Sequence, residues 1–314
     1  MIRTNLTPLH VAAVTHPGMG GRPNEDRYAV SAFKLSQKDS TRSIFAILSD
    51  GIGGHSAGEI AAEMAVETIS REIAGSDARF PLETLDQAIK KASDAIAAWA
   101  RDNTQRLGMG TTCACAWVIG ERLFTASVGD SRIYLLRGDT LLQLTIDHTW
   151  VQEALEKGLL EPEEVRNHPN QHVIRQYLGS SRSPHVDNRL RLAADETDTQ
   201  SVSNQGLHLH PGDLILLCTD GLTDVVDPTD IIPAVRDTPV EPAAQTLVDL
   251  ACAREGKDNI TVILLQVPQH SASVEKTSRI LWKWALVGFL GVIAAALVLS
   301  ALAWLLLRLI LPGF

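Results

Sequence analysis

Four acids stand in turns or beside the ends of short apolar runs: Glu25 in Asn24-Glu25-Asp26, Asp50 in Ser49-Asp50-Gly51, Asp220 in Thr219-Asp220-Gly221 and Asp258 in Lys257-Asp258-Asn259. A carboxylate at a strand end, followed by glycine, can turn its own oxygens and nearby backbone carbonyls onto one ion. The Asp-Gly shortly after the run 214–218 repeats the Asp-Gly after 44–48. Each acid alone reads as an ordinary turn or cap residue, because Asp and Gly favour turns for backbone reasons. If the four converge, unit charges about 4 Å apart repel by about 4 kcal/mol per pair at an effective dielectric of about 20. Bound cations are the simplest way to stabilise that arrangement. Oxygen donors without histidine or thiolate favour Mg²⁺ or Mn²⁺ over Zn²⁺. Two such ions can lower the pKa of a shared water and stabilise both attacking and leaving oxygens of a displacement at phosphorus. Arg22, near Glu25, can hold a phosphate by a planar, charge-assisted fork, or be an ordinary surface arginine.

Rival chemistries fail on spacing. Gly51-Ile52-Gly53 has the setting of a dinucleotide fingerprint, but Ser56 stands at the third glycine. A cysteine phosphatase needs arginine six residues after its nucleophile, whereas Ile119, Glu121, Asp224 and Asp258 hold those places. No Asp-x-Asp pair is present for an aspartyl-phosphate enzyme. Gly256-Lys257 lacks both the earlier glycine, where Ala251 stands, and the following Ser/Thr of a P-loop. Cys113, Cys115, Cys218 and Cys252 have neither zinc spacing nor the density of a disulfide scaffold, so buried free thiols and a reducing compartment are expected.

The elements that must position the acids are legible as patterns. Leu9–Val14, Tyr28–Phe33 and Ile44–Leu48 read as short strands. Ser56 can cap a helix whose face carries Ala62, Ala65, Val66, Ile69 and Ile73. A second helix after Pro81 presents Leu82, Leu85, Ile89, Ala92, Ile96 and Trp99 at spacings of three and four. From Thr111 to Thr145 short strands and glycine turns read as a meander, hence antiparallel. A polar, irregular stretch covers 158–187, and strands at Leu214–Cys218 and Ile260–Val267 bracket a helix near Pro242–Ala253. Strands grouped apart from helices argue for an α+β domain over residues 1–267.

The formal net charge is -9, and the last forty residues carry four cations against Glu275, which leaves -12 on residues 1–274. A body that acidic is a poor phosphate-backbone binder, so nucleic acid is not an expected partner. No signal peptide is expected, because the first twenty residues lack an apolar stretch behind a basic start. From Trp284 to Leu307 no charge occurs over 24 residues. As a helix this stretch spans about 36 Å, enough for a hydrocarbon core of about 30 Å. The expectation is a polar to basic linker at 268–283, a transmembrane helix at 284–307 and a short tail at 308–314. Lys276, Arg279 and Lys283 before the span, against Arg308 after it, place the body on the cytoplasmic side of the cell membrane, and Trp282, Trp284 and Trp304 fall near the two interfaces.

Six motifs, in order, resemble the metal-dependent protein phosphatases of type 2C. They are Gly21-Arg22-Pro23-Asn24-Glu25-Asp26, Asp50-Gly51-Ile52-Gly53-Gly54-His55, Met109-Gly110-Thr111-Thr112, Val128-Gly129-Asp130-Ser131-Arg132, Asp220-Gly221 and Asp258-Asn259-Ile260-Thr261. Thr145-Ile146-Asp147-His148, followed by Leu178-Gly179, is similar to that family's segment after the Gly-Asp-Ser-Arg turn. The resemblance covers about residues 10–267. It implies a four-layer α/β/β/α sandwich of two antiparallel sheets with a two-metal centre at one edge, binding Mn²⁺ or Mg²⁺. It implies hydrolysis of phosphoserine and phosphothreonine in proteins by a metal-bridging water. Carried onto matching positions, Asp50 would bridge both metals, Gly51 would offer its carbonyl, Asp220 and Asp258 would complete one shell, and Glu25 would serve the other. Asp130 matches the family's acid for a third, weaker metal, and otherwise reads as a hairpin-turn residue. Arg22 stands three residues before Glu25, one closer than the phosphate-binding arginine of many relatives, and His55 is not assigned as the general acid. Asp147 and His148 read as capping and packing groups. The stretch 158–187 resembles in position the family's variable flap. Expected partners are phosphoproteins at the membrane and an opposing serine/threonine kinase. The rival expectation is a non-catalytic phosphoprotein-binding module, and a third is a hydrolase of small phosphate esters or nucleotides.

Overall fold

A strand buried on both faces must be apolar at every position, and Ile44–Leu48 meets that demand. The computed structural model describes residues 1–53, 57–103, 108–165 and 168–269. One sheet runs β1 (Ile2–Arg3), β3 (Arg27–Lys34), β4 (Arg42–Ser49), β7 (Cys113–Ile119), β8 (Arg122–Val128) and β11 (Leu207–His208). The second runs β10 (Thr140–Gln143), β9 (Arg132–Arg137), β12 (Leu214–Cys218), β13 (Ile260–Gln266) and β2 (His10–His16). A short ladder joins β5 (Gly51–Ile52) to β6 (Gly110–Thr111), and every strand pair is antiparallel.

Side chains alternate across the sheets as the period of two requires. In β4, Ile44, Ala46 and Leu48 enter a core shared between the sheets, while Phe45 and Ile47 face α1 (Ala57–Gly75) and α2 (Pro81–Asp102). In β12, Ile215 and Leu217 enter the shared core, while Leu214, Leu216 and Cys218 face α7 (Pro228–Val235) and α8 (Val240–Ala253). The layers are therefore helices, sheet, sheet, helices. Short helices α3 (Trp150–Glu156), α4 (Pro162–Val165), α5 (Asp198–Ser203) and α6 (Asp220–Thr223) sit in the connections. Cys113, Cys115 and Cys218 are buried free thiols and Cys252 is half-buried.

The meander expected over 111–145 is divided between the two sheets. Its first pair, β7 and β8, belongs to one sheet, and its second pair, β9 and β10, to the other. The break falls at Gly129-Asp130-Ser131, where Gly129 adopts a φ of +104°, open to glycine and costly for other residues. The chain leaves the plane of the first sheet there instead of folding back along it, so Asp130 is a crossover residue and not a hairpin turn.

Residues Met1–Pro268 make one compact unit. Among the described residues no helix is long and apolar enough to cross a membrane. The expected span 284–307, the tail 308–314 and nearly all of the linker 268–283 lie outside the described residues, as do Gly54, His55 and the expected cap Ser56.

Candidate metal centre

Antiparallel register decides where the acids meet. β3 begins where β4 ends, with Arg27 opposite Ser49, and β7 begins where β8 ends, with Cys113 opposite Val128. In the second sheet Arg132 of β9 and Val262 of β13 both face Cys218 at the end of β12. Glu25 and Asp26 before β3, Asp50 after β4, Asp130 between β8 and β9, Asp220 after β12 and Asp258 before β13 therefore gather at one end of the sandwich.

Their electrostatics show how closely they gather. The Asp50 carboxyl is pushed well above the ordinary value by burial, then by Asp26, Asp220, Asp130 and Asp258. Asp220 is raised by burial and then by Asp130, Asp224, Asp258 and Asp26. Asp130 is pushed up to about 7 by burial and Asp147, with Arg132 opposing. Glu25 is raised by burial, Glu59 and Asp258, with Arg22 pulling the other way. Asp26, Asp130 and Asp220 each keep one buried Oδ1 without a hydrogen-bond partner. Buried acceptors without hydrogen-bond donors are costly, and the groups expected as ligands all offer oxygen, so they fit hard divalent cations.

Backbone and hydroxyl contacts hold this constellation. The Asp50 N–H donates to Thr112 Oγ1 at 2.9 Å, and the Thr111 hydroxyl donates to the Asp50 carbonyl at 2.8 Å. Thr112 Oγ1 lies 2.7 Å from Ser131 Oγ, which joins the Gly-Thr-Thr segment to the crossover. Gly51 passes so close to α1 that a Cβ there would lie 2.4 Å from the Gly58 carbonyl carbon and 2.8 Å from the Glu25 carbonyl oxygen. Asn259 Oδ1 accepts from the Glu25 N–H at 2.8 Å, and its amide donates to the Pro17 and Pro23 carbonyls, which pins the loop carrying Arg22.

The acids expected as ligands, Glu25, Asp50, Asp130, Asp220 and Asp258, share this end with the Gly51 backbone. Arg22 is exposed at the same cleft, whose lining includes Glu25, Asp50, Gly51, Asp220 and Asp258, while Asp130 is buried and not among the lining residues. Asp26 escaped notice as a site residue. Its Oδ2 accepts from Thr219 and Thr261 at 3.0 and 2.6 Å, tying the first sheet to the second, and burial pushes its carboxyl up to about 6 against those bonds. Its place beside Glu25, and Thr261 in Asp258-Asn259-Ile260-Thr261, were the available signals. Asp224 and His172 also line the cleft; Asp224 stands one turn of α6 after Asp220, a spacing that could have announced it, whereas His172 carries no such signal. Asp147 and His148 do not cap α3, because Thr149 does. Asp147 instead takes a bidentate pair from Arg132, and His148 Nδ1 accepts from the Gly129 N–H at 3.2 Å.

Known proteins share this fold. The family model for protein phosphatase 2C matches residues 19–251. Serine/threonine protein phosphatase PstP of Mycobacterium tuberculosis is 33% identical over 271 residues, covering 86% of this chain and 47% of its own length. This chain thus spans about half the length of that relative. Serine/threonine phosphatase stp of Listeria welshimeri is 33% identical over 265 residues, 82% of this chain and 96% of its own. The solved catalytic domain of PstP in complex with two manganese ions superposes with a TM-score of 0.67 at 31% identity, over 83% of this chain and 99% of that one. By the match over 19–251 and these likenesses, the chain belongs to the protein phosphatase 2C family.

Proposed function

We propose that this chain is a divalent-metal-dependent protein-serine/threonine phosphatase held at the cytoplasmic face of the cell membrane. One observation carries the reading: carboxylates from Glu25 to Asp258 meet at one end of the sandwich, repel one another, and keep buried oxygens without donors. The names of the relatives and the two manganese ions of the PstP structure support the same chemistry.

Asp50, the Gly51 carbonyl, Glu25, Asp220 and Asp258 are the groups that would hold two Mn²⁺ or Mg²⁺ ions, with Asp130 reaching a third. Such ions, when bound, polarise phosphoryl oxygens and lower the pKa of water. Without them the carboxylates repel a phosphate, so this chain's acids make substrate binding conditional on the cation. Arg22, at the cleft mouth, offers a planar fork to the phosphoryl oxygens. Asp26 locks the ends of β12 and β13 to the start of β3, which keeps Asp220, Asp258 and Glu25 in one arrangement. Asn259 keeps the Arg22 loop over the acids.

Membrane attachment rests on the uncharged residues 284–307 and the cations that precede them. It would concentrate the site near membrane-bound phosphoproteins, including those of a serine/threonine kinase that it opposes. The test is phosphate release from a phosphothreonine peptide with Mn²⁺, with Mg²⁺ and with chelator. Release that needs metal is expected. A folded chain that releases no phosphate with either metal would sink the enzyme and favour a phosphoprotein-binding module.

A further inference from the structure

The crossover Gly129-Asp130-Ser131 is bracketed by two neighbouring residues of a later segment, Asp147 and His148. On the far side of Asp130, Arg132 Nε donates to Asp147 Oδ1 at 3.1 Å and Nη2 to Oδ2 at 2.7 Å. His148 holds the near side. Its Nδ1 accepts from the Gly129 N–H at 3.2 Å, and its own N–H donates to the Gly129 carbonyl at 2.8 Å. That carbonyl belongs to the peptide unit leading into Asp130, so ring and main chain of one residue orient the unit together. Opposite the ring, Gly129 is packed on Thr112, where an added Cβ would lie 2.7 Å from Thr112 Cβ. The His148 carbonyl in turn accepts from the Arg175 N–H at 2.7 Å, beside Ile174 of the cleft wall.

Packing alone does not account for an imidazole here, because an apolar side chain would fill the space without burying a polar ring. His148 is 6% exposed. Since Nδ1 accepts, the neutral ring carries its proton on Nε2. That nitrogen faces Asp187 Oδ2 at 3.5 Å, an electrostatic contact longer than a hydrogen bond. Asp187 is itself fixed: Arg189 Nε donates to its Oδ1 at 3.0 Å and Nη2 to its Oδ2 at 2.6 Å, and its main chain pairs with Ser127 of β8. We propose that His148 is a positioning residue for Asp130: held by Asp187 as the Nε2–H tautomer, it supplies the acceptor for Gly129 and thereby sets the Asp130 carboxylate against Asp50 and Asp220. The turnover arm of its test rests on the phosphatase reading above, and the main-chain arm does not.

The test compares the full chain in neutral detergent with two variants. His148→Asn places an amide oxygen where Nδ1 stands, and His148→Gln places its amide where Nε2 stands. Hydrogen–deuterium exchange is read by mass spectrometry in chelator, so that no metal contributes. Amides of the 128–131 segment should exchange about tenfold faster in His148→Gln, the effect of one lost hydrogen bond, and at the wild-type rate in His148→Asn. With Mn²⁺ and a phosphothreonine peptide, kcat should fall by about 10–100-fold in His148→Gln, and His148→Asn should restore it. KM should stay unchanged, because the main-chain bond to Arg175 survives both substitutions. Equal impairment of the two variants overturns the proposal, since the ring would then serve packing alone, and so does wild-type exchange in His148→Gln. If His148→Gln does not fold, His148→Asn decides: wild-type protection at 128–131 supports the acceptor role, and its loss overturns it. A wild-type chain that releases no phosphate sinks the phosphatase reading, and the exchange rates still decide the role of His148.

Discussion

Asp50 is surrounded by acids that raise its carboxyl, so in the metal-free chain its charge is a burden, and under the proposed function a bound cation turns it into a ligand. Asp50→Asn should therefore split two readouts. Phosphate release should fall by at least about 100-fold, the upper range even for residues that only support a metal ligand. Melting in chelator should move upward, because a buried repelling charge is gone. A fall in both would show that Asp50 is structural only. The pH dependence has a definite sign. Asp26 at about 6 and Asp130 at about 7 both stand above the unfolded carboxylate value of about 3.9. The folded state thus binds more protons, and the stability these groups confer is full below about pH 4 and lost as pH rises through about 6 to 7. Urea unfolding in chelator should show that decline, and saturating Mn²⁺ should remove it. A metal-free stability that rises over this window would refute the assignment.

At the scale of elements, the acids are held by what lies beneath them. Thr112, between β6 and β7, takes the Asp50 N–H and contacts Ser131 of the crossover, so one hydroxyl serves three segments. Thr112→Val keeps the shape and removes the acceptor, leaving a main-chain donor unsatisfied. The expected cost is about 1–3 kcal/mol in urea unfolding. Mn²⁺ affinity should weaken by about 10–100-fold, the usual effect of losing a contact behind a ligand. Unchanged affinity in calorimetric titration would mean that the crossover and Asp50 are positioned independently. The divided meander belongs at this scale too. Had β7 to β10 stayed in one sheet, Asp130 would have been a surface turn, far from Asp220.

For the whole molecule, the division of labour falls at Pro268. Met1–Pro268 is compact and carries its own cores between and outside the sheets, which should suffice for folding. A chain ending at Pro268 should release phosphate from a soluble phosphopeptide within about twofold of the full chain, since the site's contacts among the described residues all fall within Met1–Pro268. Only the full chain should sediment with membranes. Loss of solubility or activity on truncation would show that residues 269–314 belong to the fold, and the anchor would have to be abandoned.

Sequence by itself determined the local pieces. The apolar runs became strands because a strand buried on both faces admits little else. The helical spacings after Pro81 became α2, and the repeated Asp-Gly after two such runs marked Asp50 and Asp220. Those signals live within a few residues of each other. What tertiary structure alone decided was the company these residues keep. Asp26 became a stitch between sheets because Thr219 and Thr261 arrive from the far end of the chain. Gly129 sent the meander across the sandwich, and His172 joined the cleft through a packed segment with no periodicity. Propensity and turn chemistry act over one to four positions, whereas the convergence of Glu25 with Asp258 depends on the register of strands paired across nearly the whole chain, and local spacing carries no record of it.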